Sequence, residues 1–212
     1  MSKKIKEPFG EAFETPVGQL RWPSLGIATD FQENKDYKFK TLIVLKFDDK
    51  AKAIAKSIND LIELNFGKGS KAKSPIQTGL EYADGYEASD AEKEFLKDKI
   101  VLSANKKVDS PPTLYLADGS KFNRVAGSDQ NAKEIEQEFY AGALAKVKLS
   151  PVAYHMSKDN FGVKLSLVAV MKVADGKRIG GVDSSMSTEV DASELAAFNM
   201  DNMPDSGDDL PV

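Results

Sequence analysis

The chain has 212 residues, 41% hydrophobic and 29% charged, with a formal net charge of -4. This is enough apolar material for one packed domain, or one domain with appendages, and it excludes wholesale disorder and a collagen-like repeat. With no cysteine and a single histidine, disulfide frameworks, thiolate nucleophiles, zinc clusters and histidine-based triads are excluded for this chain alone.

At the N-terminus Lys3, Lys4 and Lys6 precede Phe9, Gly10, Glu11 and Glu14, which stand where a secretory signal would need its apolar stretch. The longest apolar runs, such as 167–171, fall far short of the ~20 residues that cross a bilayer. A cytoplasmic protein with no membrane partner is expected. Residues 37–47 are rich in β-branched and aromatic side chains and predict a strand. Ala51, Ile54, Ile58, Leu61 and Ile62 recur at helical spacing and predict a helix over 51–66, capped by Asp48 or Asp49 and stopped by Gly67 and Gly69.

Residues 67–98 read as a loop-rich insertion with a short helix near 90–97. Gly67, Lys68, Gly69 and Ser70 follow a helix rather than a strand, so they form a flexible basic loop and not a phosphate loop. Short strands are expected at 100–105 and 113–116, and a helical stretch near 131–138. Residues 143–149 alternate strictly, with Lys146 and Lys148 opposite an apolar face. The run 163–173 repeats the pattern with Lys164 and Lys172. Together they form the strongest hairpin candidate, joined through a polar stretch in which His155 reads as a solvated loop residue. Asp175 and Gly176 then turn into a last short strand over 178–182.

No Lys or Arg follows Arg178, whereas 8 of the 33 acidic residues follow Val182, so residues 1–182 carry a net charge of +4. From Asp183 the composition turns to Ser, Asn and Asp, and the segment is expected to be disordered or only transiently helical around 192–200. Asp205, Asp208 and Asp209 precede the apolar tip Leu210, Pro211 and Val212, an arrangement suited to docking an apolar pocket ringed by basic groups. A solubilising terminus is the plainer alternative. The chain divides into a basic body, 1–182, and an acidic flexible tail, 183–212. The body is mainly β: an antiparallel sheet of about five strands with one inserted helix and long loops, closer to a small barrel than to a parallel α/β sheet.

Lysines that alternate with apolar residues, with aromatics close by, suit single-stranded nucleic acid, because phosphates need cations and unpaired bases stack on rings. The candidate contact residues are Trp22, Phe39, Lys46, Lys106, Lys107, Tyr115, Tyr140, Lys146, Lys148, Tyr154, Lys164 and Lys172. Core packing is the competing role for Phe39, which lies inside an apolar run. A coat that also binds duplex DNA stays open, since backbone electrostatics do not separate one strand from two. A carboxylate metal nuclease finds no compact Asp/Glu/Lys arrangement.

Residues 15–25, the strand and helix ending at Phe66, residues 138–147 and residues 161–167 together resemble the bacteriophage single-stranded-DNA-binding proteins, which carry one OB fold followed by an acidic tail. The resemblance runs over roughly 15–182. The tail adds to it: its acidic tip with a penultimate proline is similar to that of bacterial single-stranded-DNA-binding proteins, although those tips end in Phe and this one in Val212. The resemblance implies a five-stranded antiparallel OB-fold barrel and a non-catalytic, cofactor-free protein of DNA replication and recombination. Such a protein coats and protects single strands. Its tail competes with DNA and recruits polymerase, helicase or recombinase. Homodimerisation is left open.

Overall fold

The computed structural model describes residues 5–30 and 36–179. The acidic segment from Asp183, with Asp205, Asp208, Asp209, Leu210, Pro211 and Val212, and residues 180–182 of the expected last strand lie outside the described residues. Among those described, the elements run β1 (Phe13–Glu14), β2 (Gly18–Thr29), β3 (Lys38–Lys46), α1 (Asp49–Phe66), β4 (Ile76–Thr78), α2 (Gly79–Asp84), α3 (Asp90–Leu96), β5 (Lys99–Lys107), β6 (Thr113–Tyr115), α4 (Asp129–Glu138), β7 (Leu144–Ser157) and β8 (Asn160–Ala174).

Among the described residues the protein is mainly β, with eight strands in one sheet. Its pairings run from β7 to β2, β3, β5 and β8 and return to β7. Short β1 extends this sheet beyond β7, β4 shares a β5 edge with β8, and β6 shares a β8 edge with β5. The β5–β8 and β6–β8 pairings are parallel, a feature the antiparallel expectation did not include. Both join strands separated by long stretches of chain, and a parallel pair requires such a crossover.

Strand β2 is the long element that sequence patterning did not bring out. Gly18, Pro23 and Gly26 interrupt its alternation, and proline and glycine ordinarily argue against a strand interior. The structure uses Gly26 for close approach: a Cβ there would meet the Ala132 carbonyl oxygen at 2.2 Å. Helix α4 therefore lies against β2, and Glu136 accepts the Gly26 N–H at 2.7 Å. Helix α1 forms as expected. The Asp48 side chain accepts the Ala51 N–H, and Ala51, Ile54, Ile58, Leu61 and Phe66 are buried. They join Leu20, Ile43, Leu102, Leu149, Leu165 and Leu167 in the main core. Each fully buried Leu or Ile stabilises the fold by about 1.5–3 kcal/mol.

The 67–98 insertion is more ordered than a loop. Thr78 and Glu81 close a capping box at the start of α2, and Ser89 caps α3. Ala83 and Leu96 pack on Val44 and Val101 in a second, smaller cluster outside the main core.

Two further expectations are corrected. The β7–β8 hairpin continues through the stretch read as a loop: His155 lies in β7 opposite Phe161, and the two rings stack at 5.7 Å. Cross-strand pairing carries the ladder on to Ser157 and Asn160 and leaves Lys158 and Asp159 as the turn. Arg178 and Ile179 lie in no strand; the Ile179 N–H bonds the Ala141 carbonyl instead.

Candidate nucleic-acid interface

Alternate side chains of a strand face opposite sides. In β3 this buries Phe39 and Thr41 and turns Lys38, Lys40 and Leu42 outward. The register then builds rows across the outer surface. Thr29 stands beside Lys38 and Lys38 beside Lys107, while Ser24, Lys40, Asn105 and Ser166 form a second row. Lys164, exposed, precedes Ser166 on the same side of β8, and Tyr154 lies opposite Gly162 at the far end of the hairpin. Over β2, β3 and β5 this surface hollows into a groove of about 440 Å³, lined by Trp22, Thr29, Asp30, Lys38, Lys40 and Asn105 among others.

Trp22 stands at one edge of the groove. Arg21 pairs with Leu42 and Ser24 with Lys40, so β2 carries one residue more than β3 between these pairs. This bulge leaves Trp22 at φ 45°, a left-handed conformation that side chains rarely adopt. Trp22 is 54% exposed, and its indole Nε1–H donates to the Tyr82 hydroxyl at 2.8 Å.

The groove's charges are mixed. Lys38 bonds the Asp36 carboxylate. That hydrogen bond does most to hold Asp36 below the ordinary carboxylate value; desolvation opposes it, and the charges of Lys38, Lys107 and Lys164 add to it. Burial pushes the Lys40 ammonium below its usual range, against the charge of Asp30. Lys106, half-buried, reaches the Ser166 hydroxyl at 3.5 Å. The surface presents cations along a track with a flat ring at its edge, which is what an extended polyanion with unpaired, stackable rings requires.

Of the residues singled out from sequence, Trp22, Lys107, Tyr154 and Lys164 lie along this surface, whereas Lys106 is paired with the buried Phe39, on the other side of β5 from Asn105 and Lys107, and touches the outer rows only where its ammonium reaches Ser166. Others lie elsewhere. Phe39 is 6% exposed, with the Arg124 guanidinium 4.7 Å from its ring centre, so it is a core residue. Tyr140 is covered by the Arg178 guanidinium at 4.0 Å, and its hydroxyl lies 2.9 Å from the Gly176 carbonyl oxygen. Lys46 ends β3 next to Lys99, and the Val44–Val101 cluster under α2 and α3 separates it from the groove. Tyr115 sits on β6, beside Met171. Lys148 lies level with Glu14 of β1. Lys146 lies farther along β7, about 20 Å from the level of Lys164 at the usual strand rise.

Lys172 is the clearest departure. Lys148 pairs with Ala169 and Leu149 with Leu167, so β8 carries an extra residue, Val168, at this point. The bulge reverses which side chains face inward: Leu165 and Leu167 are buried before it, Val170 and Lys172 after it. Lys172 is therefore buried and bonded at 2.8 Å to both Glu138 and Asp175. Lys38, Lys40, Ser103 and Asn105 were missed. The alternation that singled out the hairpin lysines is equally present at Lys38, Phe39, Lys40 and Thr41, and would have found the first two. Among the described residues, no three His, Asp or Glu side chains converge as a metal site, and no helix is long and apolar enough to cross a membrane.

The site is thus an outer groove of a mainly β sheet, lined by lysines and aspartates and edged by Trp22, and sequence comparison supplies the family. Residues 17–196 match the family described as "Enterobacter phage Enc34, ssDNA-binding protein", and the chain belongs to it. Solved structures agree in fold. The single-stranded DNA-binding protein from bacteriophage Enc34 in complex with ssDNA is 19% identical, with 80% of this chain and 89% of that chain covered at a TM-score of 0.59. Its C-terminal truncation is 17% identical over 84% and 97% of the two chains, at 0.61. The single-stranded DNA-binding protein gp2.5 encoded by bacteriophage T7 is 12% identical over 93% and 100%, at 0.53. No curated protein matches the chain.

Proposed function

We propose that this protein coats single-stranded DNA, without catalysis, during phage replication and recombination in the cytoplasm of the infected host. The observation that carries the reading is the cationic track of Lys38, Lys40, Lys107 and Lys164, edged by the Trp22 indole. Phosphates pair with the lysines and release counterions, while a base stacks on Trp22. The circuit of pairings through β2, β3, β5, β8 and β7 supports a five-stranded OB barrel for the body, 1–182. An OB fold binds oligonucleotides over the face of its second and third strands, which in this assignment are β3 and β5. Family membership and the fold of the Enc34 protein in complex with ssDNA support the same ligand. The tail, 183–212, competes with DNA for the cationic track and recruits polymerase, helicase or recombinase through Asp205, Asp208, Asp209, Leu210, Pro211 and Val212.

The test is fluorescence anisotropy of a labelled oligonucleotide and its duplex over a salt series, with the full chain and a chain ending at Val182. The expected result is preferential single-strand binding, with a log–log salt slope of about -0.7 per phosphate neutralised, that tightens without the tail. Equal binding to duplex makes the protein a general DNA coat, absence of binding refutes the reading, and unchanged affinity without the tail refutes the competition.

A further inference from the structure

We infer that the α2–α3 insertion is a positioning device for DNA binding: Tyr82 holds the Trp22 indole in the orientation in which it receives a base. The inference rests on the reading of Trp22 as a stacking residue and adds what sets its geometry. Trp22 is exposed and lies on a bulge at φ 45°, so the adjoining strand pairs do not by themselves fix its side chain. A polar anchor does so. The indole N–H donates to the Tyr82 hydroxyl at 2.8 Å, a bond that uses the edge of the ring and leaves its π-face available. Tyr82 is itself braced, for its ring packs on the Tyr86 ring at 4.9 Å between centres.

Tyr86 bonds the Glu92 carboxylate at 3.2 Å, and the same Glu92 oxygen pairs with Arg21 at 2.6 Å. Arg21 is the residue before Trp22 and is buried. The insertion thus grips the bulge at two consecutive residues, Arg21 through Glu92 and Trp22 through Tyr82. It is seated by Ala83 and Leu96 against Val44 and Val101, on the sheet face next to the groove. A side chain ordered before the ligand arrives does not lose that freedom on binding, and the saving appears as affinity.

The chain contains one tryptophan, so its fluorescence reports this indole alone. Tyr82→Phe keeps the ring, its packing on Tyr86 and the insertion, and removes only the acceptor. In the full-length protein with a labelled thymidine oligonucleotide, Tyr82→Phe is expected to weaken binding about three- to tenfold, the size of one lost ordering hydrogen bond. Without DNA, the Trp22 emission should be more readily quenched by acrylamide and its anisotropy lower, with the thermal midpoint nearly unchanged. In a Trp22→Ala background the added Tyr82→Phe exchange should cost no further affinity. The inference is overturned if Tyr82→Phe leaves both emission and affinity at parental values, or if its effect on affinity persists without Trp22. If Trp22→Ala alone binds like the parent, the stacking reading fails and the positioning role with it.

Discussion

Lys172 on β8 and Glu138 at the end of α4 meet at 2.8 Å, and Asp175 bonds the same ammonium at the same distance. Burial works against this charge, but the hydrogen bonds to Asp175 and Glu138 and the charges of both outweigh it and raise the Lys172 pKa. The cation thus joins helix to sheet. Lys172→Ala should leave oligonucleotide affinity and its salt slope unchanged while lowering unfolding free energy by about 1–2 kcal/mol, a modest figure because both carboxylates keep water. Urea denaturation and anisotropy on the same variant check both halves.

The groove lysines should behave oppositely. Lys107→Ala with Lys164→Ala should reduce the magnitude of the log–log salt slope by about 1.4, if each lysine neutralises one phosphate. Exchanging Lys146 and Lys148 for Glu should change affinity less than about twofold, because they lie more than a Debye length from the groove at physiological salt. Asp36→Asn removes an anion bonded to Lys38 and influenced by Lys107 and Lys164. It should tighten binding severalfold at low salt. A salt series on the three variants separates these outcomes.

Trp22 combines exposure with a backbone conformation that suits glycine. Trp22→Gly should therefore be more stable than Trp22→Ala by about 1 kcal/mol. Both variants should lose about 1–3 kcal/mol of binding free energy through the missing stack. Thermal melts read the first effect, and titration with a thymidine oligonucleotide reads the second.

Arg21 is buried, and its bond to Glu92 ties the insertion to β2. Glu92→Ala leaves a guanidinium without that carboxylate and should destabilise the protein by about 2–3 kcal/mol, less than for a wholly buried pair because Glu92 remains partly hydrated. Glu92→Gln should recover part of the loss. Chemical denaturation of both variants is the measurement.

Acid should expose the carboxylates held ionised in the fold. Asp175 is lowered by its hydrogen bonds to Lys172 and Tyr140 and by the Lys172 charge, and Asp36 chiefly by its bond to Lys38. Because the folded pKa lies below the ordinary 3.8, the stabilisation is complete above that value and is lost as pH falls through the lower folded value. The thermal midpoint should therefore fall as pH is lowered below 3.8, and Asp175→Asn should flatten this fall. The raised Lys172 pKa acts at the other end, its contribution fading only as pH rises beyond 10.5.

The elements whose signals are local were legible. Helix α1 follows from apolar spacing, an Asp cap and a terminal glycine, all within one short stretch. The hairpin follows from the alternation around Lys146 and Lys164, and the quoted patterns around residues 15–25 and 138–147 sufficed to suggest the family. Strand β2 was hidden because Gly18 admits the close approach of Val44 and Leu45 of β3, Pro23 lies in the bulge against β3 and Gly26 meets α4, contacts that exist only in the folded sheet. The α2–α3 insertion was hidden in turn because its small core is completed by Val44 and Val101 of the sheet.

The sequence by itself determined where chain segments are extended or helical and where charge accumulates, since these depend on neighbours a few residues apart. Only the tertiary structure decided which lysines share a surface. Lys38, Lys107 and Lys164 come together through pairing between distant strands, and the extra residue at Val168 turns Lys172 inward although the sequence still alternates. Register is set by contacts between strands, and a one-residue shift exchanges the two faces of everything beyond it.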